Sequence, residues 1–344
     1  QLGGDIDGPS YNNNVPGNSG WSVSMSSDGT RVAIGAPYYD KPNSNGEDGL
    51  VRIYELQSNN SWSQLGQDII GVETRDYNGW SVSMSPDGTR VAVGAYGHNK
   101  NGANDAGHVR IYQYTPSGTS SWTLYGDIEG HGANDASGRS VSLSSDGTRV
   151  AIGATLNDTS NGSRSNTGHV RIYENTSGSM WTKLGQDIDG EAADDQSGYS
   201  VSLSSDGSRV AIGARYNDGN GPQAGHVRIY DYNGSTWVQV GTDIDGEEGS
   251  NLAGHSVSLS SDGSRVAIGA IDNNGNGSNS GHVRIYELQS NNSWSQLGQD
   301  IDGEAAGDRS GYSVSLTSDG SRVAIGANGN DGNGDSSGHV RIYD

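Results

Sequence analysis

The chain contains no cysteine. Disulfides and thiol chemistry are therefore excluded, and the redox state of its compartment leaves no mark on the sequence. Positive charge is scarce as well: Lys and Arg number 20 against 41 Asp and Glu, a formal net charge of −21. Phosphate backbones and anionic bilayers are bound by clustered Lys and Arg, so neither nucleic acid nor a membrane surface is an expected partner. No apolar run reaches the roughly 18 residues of a spanning helix, and no membrane insertion is expected. Apolar residues other than glycine make up only 31%, which together with the acidity resembles a disordered chain. Glycine restores the balance with 55 of 344 residues, bringing the total to an ordinary level for a folded protein. The first residue is Gln rather than Met, so a processed or trimmed chain is expected, with any signal peptide outside the sequence.

What the chain does have is one strand pattern repeated along its length. The pattern reads Gly-x-Ser-Val-Ser-Leu/Met, a Ser/Pro-Asp-Gly-Thr/Ser turn, Arg-Val-Ala-Ile/Val-Gly-Ala, an Asn/Asp/Gly loop, and Val-Arg-Ile-Tyr. Its first valine falls at Val23, Val82, Val141, Val201, Val257 and Val314, giving spacings of 59, 59, 60, 56 and 57. Repeats of this length made of short strands indicate propeller blades or a solenoid. Each repeat predicts four strands, which in the fourth repeat cover residues 199–203, 209–214, 226–230 and 237–244. Residues 1–6 (Gln-Leu-Gly-Gly-Asp-Ile) match 296–301, the end of a fourth strand, while the chain stops at the end of a third strand. The expected fold is all-β: one six-bladed β-propeller domain over residues 1–344, built of four-stranded antiparallel blades. The blades are 19–69, 78–128, 137–188, 197–244, 253–301 and 310–344 with 1–6, the N-terminal strand closing the ring by completing the last blade. Radial repetition of this kind leaves only short, protected sheet edges and no free seam between blades. Residues 51–69 and 283–301 are identical, the mark of recent duplication in a modular protein rather than of a unique active site.

Gly-Tyr-Ser-Val-Ser-Leu, Val-Ala-Ile-Gly-Ala, an Asn-Asp-Gly-Asn-Gly loop and Val-x-Ile-Tyr resemble the FG-GAP repeat of integrin-α-like propellers, and Gly35-Ala36-Pro37 keeps the family's GAP. Ser85-Pro86-Asp87-Gly88 and Gly-His-Val-Arg-Ile-Tyr also look like WD-type repeats. Both resemblances imply four-stranded blades. The family's Phe is missing throughout; Ser19, Asn78, Ser137, Ser197, Ala253 and Ser310 stand in its place. The integrin-like calcium cage between the first two strands has given way to a tight Ser-Asp-Gly turn, so calcium is not carried over to that position.

Propeller topology places the fourth-to-first and second-to-third loops on one face, and both loop sets are acidic. Asp158, Asp218 and Asp331 lie four residues after the repeated Gly-Ala, and Asp302, Glu304 and Asp308 belong to the run that follows Asp300. These oxygens are the candidate ligands for Ca²⁺, which takes six to eight hard oxygens; the competing reading is that Asp and Asn cap their own turns. A histidine opens the third strand at His108, His169, His226, His282 and His339, two residues before an arginine. A His–Arg–Asp set resembles acid–base machinery, yet its recurrence in nearly every blade points to a structural network. Zinc is not expected there, because these histidines stand one per blade with no second ligand evident nearby. The tryptophans Trp62, Trp122, Trp181, Trp237 and Trp294 at the start of the fourth strand are expected to pack the blade edge.

One position varies inside the repeated frame. The residue after the glycine of the first strand is Trp21, Trp80, Arg139, Tyr199, His255 and Tyr312 in turn. Variation of this kind marks recognition, and this ring is the candidate ligand-binding site. The expected function is a non-catalytic, extracellular or cell-surface recognition propeller that binds protein or glycan through its loop face. The alternative is a self-assembling subunit of a surface layer, sheath or filament. A channel-mouth enzyme would need a non-repeated nucleophile, acid and base, and the sequence offers none. Seven Asn-x-Ser/Thr sites, at Asn59, Asn157, Asn161, Asn175, Asn233, Asn276 and Asn291, matter only for a chain secreted by a eukaryote.

Overall fold

The computed structural model describes residues 2–9, 17–42, 46–100, 102–116, 121–158 and 165–344. Asn161 lies outside them. Every regular element among the described residues is a β-strand. The chain forms two compact units, residues 1–154 with 172–183 and residues 155–171 with 184–344, the third repeat being divided between them.

In the first unit, Ser22–Met25, Arg31–Ala36, Leu50–Leu56 and Trp62–Gln64 make one antiparallel blade in chain order. Ser81–Met84, Arg90–Ala95, His108–Thr115 and Ser121–Glu129 make the next. In the second unit, Ser200–Leu203, Arg209–Ala214, His226–Tyr232 and Trp237–Gln239 form a blade. Ala253–Leu259, Arg265–Ala270, His282–Leu288 and Trp294–Gln296 form another. Ser310–Leu316, Val323–Ala327 and His339–Tyr343 form the last sheet, which has three strands among the described residues. Residues 2–9 form no strand. The Leu2 carbonyl nevertheless accepts the Trp62 indole N–H at 3.1 Å, the role that Leu65 plays for Trp122 at 2.9 Å. The N-terminal segment thus sits against the first blade as a preceding fourth strand would.

The fourth strand differs from the expected continuous one. In the fourth repeat it runs Trp237–Gln239, breaks, and resumes as Ile244–Asp245, which pairs with the start of the third strand. Gly241 sits at the break with φ +76°, a conformation that costs glycine little. The second repeat has one residue fewer between Trp122 and Asp127, and there the strand is unbroken.

The signature residues stitch each blade to the next within each unit. Ser200 Oγ donates to the Gly254 carbonyl at 2.8 Å, and Ser202 Oγ accepts the Leu259 N–H at 3.0 Å. Ser22 and Ser24 make the same two bonds to Gly79 and Met84. This explains the small polar residues flanking the valine. Arg209 pairs with Asp231 at 2.6 Å and also donates to the Gly263 carbonyl at 2.8 Å; Arg31 does likewise with Glu55 and Gly88. Apolar residues fill the space between blades. Val51 and Ile53 pack with Met84 and Val91 in the first unit, and Val227 and Ile229 with Val257 and Val266 in the second.

The tryptophans belong to this stitching. Trp237 is 3% exposed, and its indole donates to the Leu184 carbonyl at 2.8 Å. Replacing Trp237 with Ala is predicted to cost about 3–5 kcal/mol, the range for emptying a buried aromatic site, read as a lowered urea midpoint. Trp237→Phe, which loses the hydrogen bond but keeps most of the volume, should retain the larger part. Equal losses in both variants would contradict a packing role.

Candidate functional site

The varying ring residues follow glycines held at positive φ, such as Gly79 at +85° and Gly254 at +82°. In the first unit Trp21 and Trp80 lie with ring centroids 4.7 Å apart, and the Arg139 guanidinium covers Trp80 at 4.4 Å. In the second unit His255 sits between Tyr199 and Tyr312, with centroids 5.0 Å from each. The six residues are thus brought together as two groups of three.

The first group is larger than the sequence showed. Tyr38 meets Trp21 edge-on at 5.9 Å, and Tyr96 meets Trp80 edge-on at 4.7 Å. Tyr77 stacks on Tyr96 at 5.0 Å with planes 4° apart. Five aromatic rings and a guanidinium therefore form one surface, and Trp21 leaves 41% of itself exposed. Burial pushes the Tyr96 phenol up to about 12 and also raises Tyr77, whose hydroxyl donates to Glu47 at 3.2 Å. Both phenols are neutral donors near neutral pH. In the second group Arg215 lies over Tyr199 at 3.7 Å. The missed residues Tyr38, Tyr96 and Arg215 occupy varying positions just after the repeated Gly-Ala, and Tyr77 stands two before Gly79; that variation was the available signal.

Five of the six candidate calcium ligands make loop or ion-pair bonds. Asp158 Oδ1 accepts the Asn166 N–H, Asp218 Oδ1 the Gln223 N–H and Asp331 Oδ1 the Ser336 N–H, each a bond within a loop. Asp308 is buried and accepts the Glu304 and Ala305 N–H groups and the Asn330 amide. Glu304 pairs with Arg341 and lies 3.6 Å from His339. Asp302 pairs in register with His282 on the adjacent strand.

Around the third-strand histidines, Arg284 bonds Asp300 at 2.8 Å and pairs with Glu247, and Arg228 pairs with Glu191 at 3.3 Å. Burial keeps His226 and His282 neutral, their pKa values lowered with help from the neighbouring arginines. The expectation that no second ligand lies near such a histidine does not hold: carboxylates stand beside His169, His226 and His282, and a second histidine beside the one in the second repeat. There the loop after the second strand carries His98 onto His108, with ring centroids 4.0 Å apart, and His98 Nδ1 lies 3.1 Å from Asp76 Oδ1.

Residues 188–230, from the end of one fourth strand through the third strand of the fourth repeat, match the FG-GAP repeat family. The FG-GAP resemblance is borne out there. No curated protein matches the chain. Among solved structures, a crystal structure described as a candidate 6-phosphogluconolactonase from Bacteroides uniformis is similar over 83% of this chain and 86% of its own, with a TM-score of 0.55 and 14% identity. A likeness at that identity is one of fold.

Proposed function

We propose that this chain of FG-GAP-type blades is a non-catalytic recognition module, placed at the cell surface or outside the cell, that binds neutral glycans through the Trp21–Trp80 surface. The observation that carries this reading is the cluster of Trp21, Tyr38, Tyr77, Trp80 and Tyr96 at positions where the repeated frame varies. Flat aromatic faces receive the C–H faces of sugar rings, while phenol hydroxyls and a guanidinium at the rim bond sugar hydroxyls. The net charge of −21 disfavours acidic ligands. The repeated arginines are occupied in blade-to-blade or strand-to-strand pairing, which supports a non-catalytic role.

A panel of immobilised neutral oligosaccharides tests this. Wild-type protein should be retained, and Trp21→Ala should lose about tenfold or more, roughly 1.4 kcal/mol, without a change in melting temperature. Capture of a protein ligand with no glycan retained would move the reading to protein recognition.

A further inference from the structure

The buried cluster in the second repeat carries an inference that is independent of the glycan reading. We propose that Asp76, His98 and His108 form a binding site for a single transition-metal ion of the Zn²⁺ type.

Three observations support it. The ligand atoms of the three residues lie within 4.8 Å of one another. All three are buried, His108 to 1% exposure, and neither His108 ring nitrogen has a hydrogen-bond partner among the described residues. A buried imidazole without partners is costly, and a bound cation would satisfy it. Asp76 is held in place for the role. Its Oδ2 accepts the Val72 and Glu73 N–H groups at 2.7 and 2.9 Å, and its Oδ1 faces the histidines. Fixing a ligand through its second oxygen is how outer partners orient metal sites.

The other repeats supply the contrast. The residue three after the repeated Gly-Ala is Asn217, Asn273 and Asn330 in the last three repeats, and His98 in the second. Asn217 and Asn330 each bond the buried aspartate, Asp195 or Asp308, at 3.1 Å. Exchanging that amide for imidazole converts a structural pair into two histidines and one carboxylate. That set suits Zn²⁺ with water completing the coordination, whereas Ca²⁺ takes oxygen alone. In the fourth and fifth repeats the carboxylates beside the histidine pair with Arg228 and Arg284. In the second, Arg110 likewise pairs with Asp127 at 3.0 Å, while Asp76 faces His98.

The test is calorimetric titration of chelator-stripped full chain with ZnCl₂, together with Co²⁺ substitution read by visible absorption. One ion per chain and the intense bands of four-coordinate Co²⁺ are expected. His98→Asn installs the residue the later repeats use and should keep the melting temperature of the metal-free protein. It should weaken Zn²⁺ binding by at least about tenfold, the scale on which even outer partners count. Absence of Zn²⁺ binding by the wild type, or equal affinity in His98→Asn, would overturn the site. Should that variant fail to fold, a wild-type Co²⁺ spectrum of six-coordinate, all-oxygen type would overturn it equally.

Discussion

Gly213→Ala is expected to destabilise the second unit by about 3 kcal/mol or more, the upper end of the overpacking range. A Cβ on Gly213 would stand 2.1 Å from the Gly254 carbonyl oxygen and 2.4 Å from Ser200 Oγ. Neither neighbour is the far end of a flexible side chain. Gly213 is itself fixed on both sides, in register with Ser200 and Val227. Relief requires moving the fourth and fifth repeats apart, which breaks the Ser200–Gly254 bond and opens the core around Val227 and Val257. Gly35, Gly94 and Gly269 make the same approach to Gly79, Gly138 and Gly311, so the repeated Gly-Ala is a steric requirement of blade-to-blade contact. Gly4, with nothing within 4 Å of its virtual Cβ, is the control, and Gly4→Ala should stay within about 0.5 kcal/mol of wild type. Urea midpoints of both variants decide it; equal midpoints would contradict the close approach.

Acidification from pH 7 toward pH 4 is expected to lower the melting temperature well before the carboxylates titrate. His226 is buried, its pKa lowered from 6.5 to about 4 by burial and then by Arg228; His282 is lowered by burial and Arg284. As pH falls below 6.5 the unfolded chain takes up these protons and the folded chain does not, so the stability contributed by each neutral imidazole is lost across that window. The slope is at most about 1.4 kcal/mol per pH unit for each histidine. A second loss follows below the ordinary carboxylate range. Asp300 is held down by its bond from Arg284, and Asp262 by bonds from the Ser264 N–H and the Ser260 hydroxyl. Their contributions are present above 3.8 and disappear as pH drops through the lowered values. Melting curves at pH 7, 5.5 and 4.5 measure the first loss, and His226→Gln should flatten it. A melting temperature constant over that interval would contradict neutral buried histidines.

The blades were legible because Ser-Val-Ser and Arg-Val-Ala-Ile-Gly-Ala state the strand period and the turn between them in every repeat. The break in the fourth strand was less legible, since Val-Gly-Thr-Asp reads as continuous strand until Gly241 is seen at positive φ. Trp21, Trp80 and Arg139 were found through variation after a glycine, and they do assemble. Tyr38, Tyr77 and Tyr96 join them only because loops from two blades meet, a juxtaposition that spacing does not encode. His98 was missed for the same reason: Asp76 lies 22 residues earlier and reaches it across a loop. The acidic loop residues carried a composition signal for calcium that turn-capping bonds account for at Asp158, Asp218 and Asp331.

The most direct measurement is calorimetric titration of wild type and Trp21→Ala with a neutral oligosaccharide retained in the panel. Saturable binding by wild type, lost in a Trp21→Ala variant of unchanged melting temperature, is the predicted result. Equal affinity in the two proteins would contradict a recognition site at the Trp21–Trp80 surface.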